Sequence, residues 1–200
     1  MRSYAHGTSP IPLLGETIGE NLWRTVERYP DRDALVVRSQ GYRATYRQLY
    51  DATSVLARAL IASGIEPRDR VGIWSPNRFE WVVTQFATAR AGAILVNINP
   101  AYKSAELGYA LRQSGVKLLL LAKEFRGSDY VALLREVRPE CPDLLEALVL
   151  DDDQADRLLD RLRIPFVLEA DPMREGVERL ARAWEAYAGA QKRRTAGVLV

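Results

Sequence analysis

Apolar residues recur three and four apart in some stretches of this chain and run unbroken in others, and the switch between the two patterns divides it into helices and strands. Thr17-x-x-Glu20 has the spacing of a capping box, which satisfies free N–H groups at a helix start. Leu22, Val26 and Tyr29 then share one helical face until Pro30 and Asp31 end it. Residues 34–38 and 42–45 are short β-like runs around Ser39-Gln40-Gly41, which predicts a hairpin. Thr45-x-x-Gln48 offers a second capping box, followed at helical spacing by Tyr46, Leu49, Tyr50, Thr53, Leu56, Ala57 and Leu60, with Gly64 placed to stop the helix.

From there the chain alternates. A strand is predicted at 71–75, then a helix capped by Asn77 that carries Phe79, Val82, Val83 and Phe86 and ends at Gly92. Residues 94–98 form the next strand, and Ser104 caps a helix bearing Leu107, Ala110 and Leu111 that closes at Gly115. The apolar run 116–122 follows, then a helix with Tyr130, Leu133, Leu134 and Val137, and a strand at 147–150. Strands apolar on both faces, separated by amphipathic helices, require a sheet covered on both sides. The expected class is α/β: a doubly wound, mostly parallel sheet with flanking helices plus an N-terminal hairpin. Strand order does not follow from this pattern. Residues 1–16, with Gly7, Pro10, Pro12 and Gly15, read as an irregular lead-in, and 17–150 as the α/β unit. Residues 151–200 are a divergent, Arg- and Ala-rich tail with the signals of helix (156–162), strand (164–168) and a helix opening at Asp171-Pro172 and carrying Val177, Leu180, Ala181, Trp184 and Ala188.

Composition changes the picture mainly by exclusion. With 28 basic and 26 acidic residues the net charge is +2, so a nucleic-acid partner has no global electrostatic support. The single cysteine, Cys141, excludes an intrachain disulfide and fits a reducing compartment. Its surroundings, Arg138-Pro139-Glu140-Cys141-Pro142, read as a loop, and it is taken as a bystander. No stretch has the apolar length of a membrane span or a signal peptide, which makes the cytoplasm the simplest address.

Candidate chemistry is sparse. The 13 glycines include no Gly-x-Gly pair and no Walker-type spacing, so neither common phosphate-cradling loop is present. The only histidine, His6, sits in the lead-in, which leaves a Ser or Cys nucleophile without a base and removes His/Cys zinc sites. Lys117 opens an apolar strand and is expected to point to solvent. Asp151-Asp152-Asp153 is the sharpest carboxylate cluster, and its place after a strand is where α/β sheets gather ligands, but adjacent acids alternate in direction and a solvated loop is favoured. Asn97 and Asn99 could line a crevice at their strand's end; the plainer reading is a turn before Pro100. Trp74 and Trp81 read as aromatic packing over the intervening helix start.

Several of these segments, in this order, resemble the N-terminal part of the AMP-binding, adenylate-forming acyl-CoA synthetases, over roughly residues 8–150. They are Thr17-Ile18-Gly19-Glu20-Asn21-Leu22, Tyr29-Pro30-Asp31-Arg32-Asp33-Ala34-Leu35-Val36, Thr45-Tyr46-Arg47-Gln48-Leu49, residues 64–71 and Asn97-Ile98-Asn99-Pro100-Ala101-Tyr102. The last looks most like the medium- and long-chain fatty acid-CoA ligase branch. The resemblance implies activation of a fatty acid with Mg-ATP to an acyl-adenylate and transfer to CoA, so ATP, Mg and CoA are implied cofactors of the intact enzyme. In that family the Ser/Thr/Gly phosphate loop, the adenine, metal and ribose segments and a terminal-domain Lys come after this region. No catalytic, cofactor-binding or metal-binding residue therefore carries over onto this sequence. The expectation is a truncated synthetase, inactive alone and prone to self-association through exposed sheet surface. The alternative is a non-catalytic α/β module that docks on a full-length synthetase or another protein.

Overall fold

The computed structural model describes residues 13–150 together with Gly7 and Ile11, so His6, Asp151 to Asp153 and the elements expected in 151–200 lie outside the described residues. Helix α1 (Ile18–Arg28) starts from the foreseen capping box: the Thr17 hydroxyl accepts from the Glu20 N–H at 3.2 Å, and the Glu20 carboxylate accepts from the Thr17 N–H at 2.7 Å. Strands β1 (Asp33–Val37) and β2 (Tyr42–Thr45) form the antiparallel hairpin. Thr45 and Gln48 form the second capping box at the start of α2 (Tyr46–Ala62).

Strands β3 (Arg70–Trp74), β4 (Ile94–Ile98), β5 (Val116–Ala122) and β8 (Glu146–Leu150) make one four-stranded sheet in the order β4-β3-β5-β8, parallel throughout. The chain enters at β3, steps out to β4 through α3 (Phe79–Ala91), and returns past β3 to β5 through α4 (Ser104–Ser114). Helix α5 (Tyr130–Val137) then leads on to β8. Because right-handed crossovers in opposite directions put their helices on opposite faces, the reversal produces two cores. On one face Leu22, Val26, Leu49, Leu56 and Leu60 pack with Val71, Ile73, Leu118 and Leu120. On the other, Leu107, Leu111, Tyr130 and Leu134 pack with Trp74, Leu119 and Leu121. Alternate residues of β5 thus feed alternate cores, as a period of two demands. Gly72 keeps β3 close to its neighbour, since a Cβ there would lie 3.0 Å from Leu119 Cδ1 and 3.1 Å from Val116 Cγ1.

Four details depart from the expectations. Helix α3 is not capped by Asn77; Arg78 holds the cap position without a side-chain cap bond, and the Phe79 N–H is satisfied by Gln40 Oε1 at 2.8 Å, a partner from the distant hairpin. Its fully buried stripe is Glu80, Val83, Thr84, Ala87, Thr88 and Ala91 rather than the aromatic positions. Wedged between the sheet, α1 and α2, this helix needs small side chains, and Thr84 and Thr88 satisfy their hydroxyls by bonding carbonyls one turn back. Helix α4 is likewise not capped by Ser104: Lys103 occupies the cap position, its N–H donating to Glu106 at 3.1 Å, while the Ser104 hydroxyl donates to Glu136 at 2.6 Å. Finally, a ribbon of β6 (Glu124–Phe125) and β7 (Ser128–Asp129), turning through Arg126 and Gly127 at positive φ, precedes α5 where the sequence showed no strand.

Gly115 ends α4 at φ +61°, and a Cβ there would stand 2.5 Å from Arg70 Nη2, which the Arg70 Nε bond to the Ser114 carbonyl holds in place. Gly41 has the same φ of +61° with open space around it. Gly115→Ala should therefore lower stability by about 1–2 kcal/mol for the left-handed backbone plus a steric contribution, and Gly41→Ala by the backbone cost alone. Urea denaturation of both variants checks this; equal losses would contradict the crowding at Gly115.

Candidate functional site at the carboxyl edge of the sheet

Where consecutive connections of an open α/β sheet leave in opposite directions, a crevice opens at the carboxyl ends of the two strands concerned. Here that point lies between β3 and β5. Two aromatic rings pack at this edge, within the core that α4 and α5 cover. Trp74, the last residue of β3, and Tyr130, the first of α5, are both fully buried and stacked with centroids 3.6 Å apart and planes 3° from parallel. The Trp74 indole N–H donates to the Asn99 carbonyl at 3.1 Å, and the Tyr130 hydroxyl donates to the Pro100 carbonyl. Burial pushes the Tyr130 phenol up to about 12, so it stays a neutral donor. The pair therefore pins the turn after β4 to the carboxyl ends of the strands. Within that turn Asn99 Oδ1 accepts from the Ala101 N–H at 2.9 Å, the turn role expected for an Asn before proline. Asn97 stands exposed on β4. Trp81 is half-buried against the opposite core, so the two tryptophans do not share one packing site over the helix start.

A polar cluster beside this edge was not legible in the sequence. Arg78 pairs with Glu80 at 2.7 Å, with side chains only 14% and 8% exposed. Gln40 donates to Glu80 at 3.0 Å, and Arg78 Nη1 donates to the Leu150 carbonyl at 3.2 Å. Tyr42 stacks on Phe79 with centroids 3.9 Å apart, and burial, then the Glu80 charge, raises its phenol. Hairpin, α3 start and β8 end are thereby tied together. The bonded partners are 40 and 72 positions apart, beyond the reach of any local spacing signal.

The remaining candidates fall elsewhere. Lys117 does not simply face solvent: it pairs with Asp69 at 2.8 Å at the amino end of the strands. Burial raises the Asp69 carboxyl, but Lys117, the Glu66 N–H and Arg70 outweigh it and hold the group below its ordinary value. Cys141 is buried in the second core, and burial pushes its thiol up, which makes it a packing residue. Among the described residues no three His, Cys, Asp or Glu side chains come together as a metal site. The polar atoms of Trp74 and Tyr130 are committed to the carbonyls of Asn99 and Pro100, so at this edge neither ring offers a donor to ATP, Mg or CoA.

A family model described as AMP-binding enzyme matches residues 22–183. The chain belongs to the AMP-binding enzyme family. The match reaches past residue 150, where the resemblance seen in the sequence stops. The chain is 39% identical over 165 residues to the mitochondrial medium-chain acyl-CoA ligase ACSF2 of Danio rerio, a match covering 76% of this chain and 27% of that protein. With the ACSF2 of Mus musculus it shares 41% over 145 residues, covering 72% and 23%. It thus spans about a quarter of the length of the curated relatives it matches. Among solved structures, the fatty acyl CoA synthetase of Mycobacterium tuberculosis superposes with a TM-score of 0.64 at 26% identity, covering 74% of this chain and 28% of that one. The N-terminal domain of FACL13 from the same organism gives 0.64 and 26%, covering 74% and 36%. The expected fold, a parallel α/β sheet flanked by helices as in the N-terminal domains of adenylate-forming ligases, is the one observed.

Breaking a buried ion pair from one side strands the other charge, which costs about 3–5 kcal/mol, whereas replacing both partners by apolar groups costs far less. Arg78→Ala should therefore destabilise the AMP-binding unit more than the double variant Arg78→Met/Glu80→Met. Thermal and urea melts of the two proteins decide it; a double variant at least as unstable as the single one would show that the pair itself is not what Glu80 depends on.

Proposed function

We propose that this chain supplies the scaffold part of a fatty acyl-CoA ligase, the portion that carries the β3/β5 reversal and its closed carboxyl edge. In the whole enzyme a fatty acid is activated by ATP with magnesium and passed to CoA, and residues beyond those described here bind the phosphates. The observation that carries the reading is the similarity to acyl-CoA ligases over most of this chain combined with an edge sealed by Trp74 and Tyr130. A carboxylate and a triphosphate repel, so the reaction needs converging N–H groups and cations at the reacting atoms, and the described edge offers side-chain packing instead. The 200 residues alone therefore do not make acyl-CoA.

Self-association is part of the same proposal. Among the described residues strand β4 pairs only with β3, and Ile94 at its start is 51% exposed. Unpaired strand edges recruit other chains. No helix among the described residues is long and apolar enough to cross a membrane.

The test is to incubate the purified chain with Mg-ATP, decanoate and CoA, following pyrophosphate release and thioester formation, and to weigh the protein by sedimentation. The expected outcome is no fatty-acid-dependent turnover and a dimer or larger species. Sustained turnover would overturn the scaffold reading, and a strictly monomeric protein the self-association.

A further inference from the structure

A groove of ≈ 630 Å³ runs along α2, lined by Tyr50, Ser54, Val55, Arg58 and Ile61 with Arg90 reaching in from α3. Helix α3 leaves the carboxyl end of β3 and runs back to the start of β4, so Arg90, one residue from its end, places the groove toward the amino end of the sheet. That is the opposite end from the Trp74 and Tyr130 stack. From Tyr50 to Ile61 the groove follows three turns of helix, about 16 Å.

Arg90 is half-buried, a costly position for a charge. Its Nη1 donates to the Tyr50 carbonyl at 3.1 Å and to the Thr53 hydroxyl at 3.0 Å, and its guanidinium lies 3.9 Å from the centre of the Tyr50 ring. These contacts hold the fork in place but use one nitrogen of three as donor. Burial pushes the Arg90 pKa down, Tyr50 offsets part of this, and Arg58 adds repulsion against the weaker attraction of Asp51. Among the described residues no carboxylate lies within ion-pair distance of either arginine. Two arginines against the one Asp51 leave the lining with an excess positive charge; Val55, Ala57 and Ile61 supply its aliphatic part, and Ser54 has its hydroxyl committed to the Tyr50 carbonyl at 2.7 Å.

A lining with unpaired guanidinium donors and an aliphatic wall is complementary to one kind of occupant. We propose that this groove binds an aliphatic carboxylate, its head between Arg58 and Arg90 and its chain along Val55 and Ile61. The site is independent of the scaffold reading, since it needs neither nucleotide nor turnover.

The probe is decanoate, kept below its micelle-forming concentration and titrated into the ¹⁵N-labelled full chain, with decanol and inorganic phosphate titrated in parallel. Saturable shifts are expected at the amides of 50–61 and at the Arg90 Nε–H, with decanoate binding more tightly than either control. Arg58→Gln, an exposed residue whose loss should leave the melting temperature unchanged, is expected to weaken decanoate roughly two- to fivefold, the size of one exposed charge contact. Decanol binding as tightly as decanoate would remove the role of the arginines, and phosphate binding as tightly would remove that of the apolar wall. Shifts confined to other residues, no saturable binding, or an unchanged affinity in Arg58→Gln would each overturn the proposal.

Discussion

The fold depends on β5 having no solvent side. Leu118 to Leu121 are all nearly inaccessible, so this strand stands only at a position flanked by strands and covered by helices above and below. Two-sided burial of consecutive leucines stabilises by roughly 1.5–3 kcal/mol per side chain, against about 0.5–1.5 kcal/mol for an ordinary neutral hydrogen bond. It dictates the rest: β3 and β8 as neighbours, α2 and α3 with α1 on one face, α4 and α5 on the other. Once helices must cover both faces, the connections have to reverse direction, and the reversal creates a crevice between β3 and β5.

The stacked rings of Trp74 and Tyr130 stand at the carboxyl edge, and their polar atoms are committed to the carbonyls of Asn99 and Pro100. The same edge is fixed laterally by Arg78, whose guanidinium joins Glu80 to the end of β8. These contacts tie hairpin, α3 and β8 into one edge in a member of the AMP-binding family that spans about a quarter of its relatives' length.

How much of this the sequence disclosed depended on the reach of each signal. Both Thr capping boxes, the hairpin and the left-handed glycines at 92 and 115 are local, and all were legible from spacing. The start of α3 was not, because its first N–H is satisfied by Gln40 across the hairpin and so outranks the local claim of Asn77. Lys117 was misjudged for the same reason, its partner Asp69 lying on the loop before β3. The two-residue strands β6 and β7 carry no hydrophobic period at all; the tight turn at Arg126 and Gly127 makes them. The Trp74 and Tyr130 stack joins residues in separate β/α units, and only the strand order, which pattern does not supply, brings them together.

Hydrogen exchange of the Trp74 indole N–H reports whether this stack holds the carboxyl edge shut. This proton should exchange as slowly as the backbone amides of β5, through unfolding of the domain alone. Exchange as fast as that of the partly exposed Trp23 indole would mean that the edge opens in the native state.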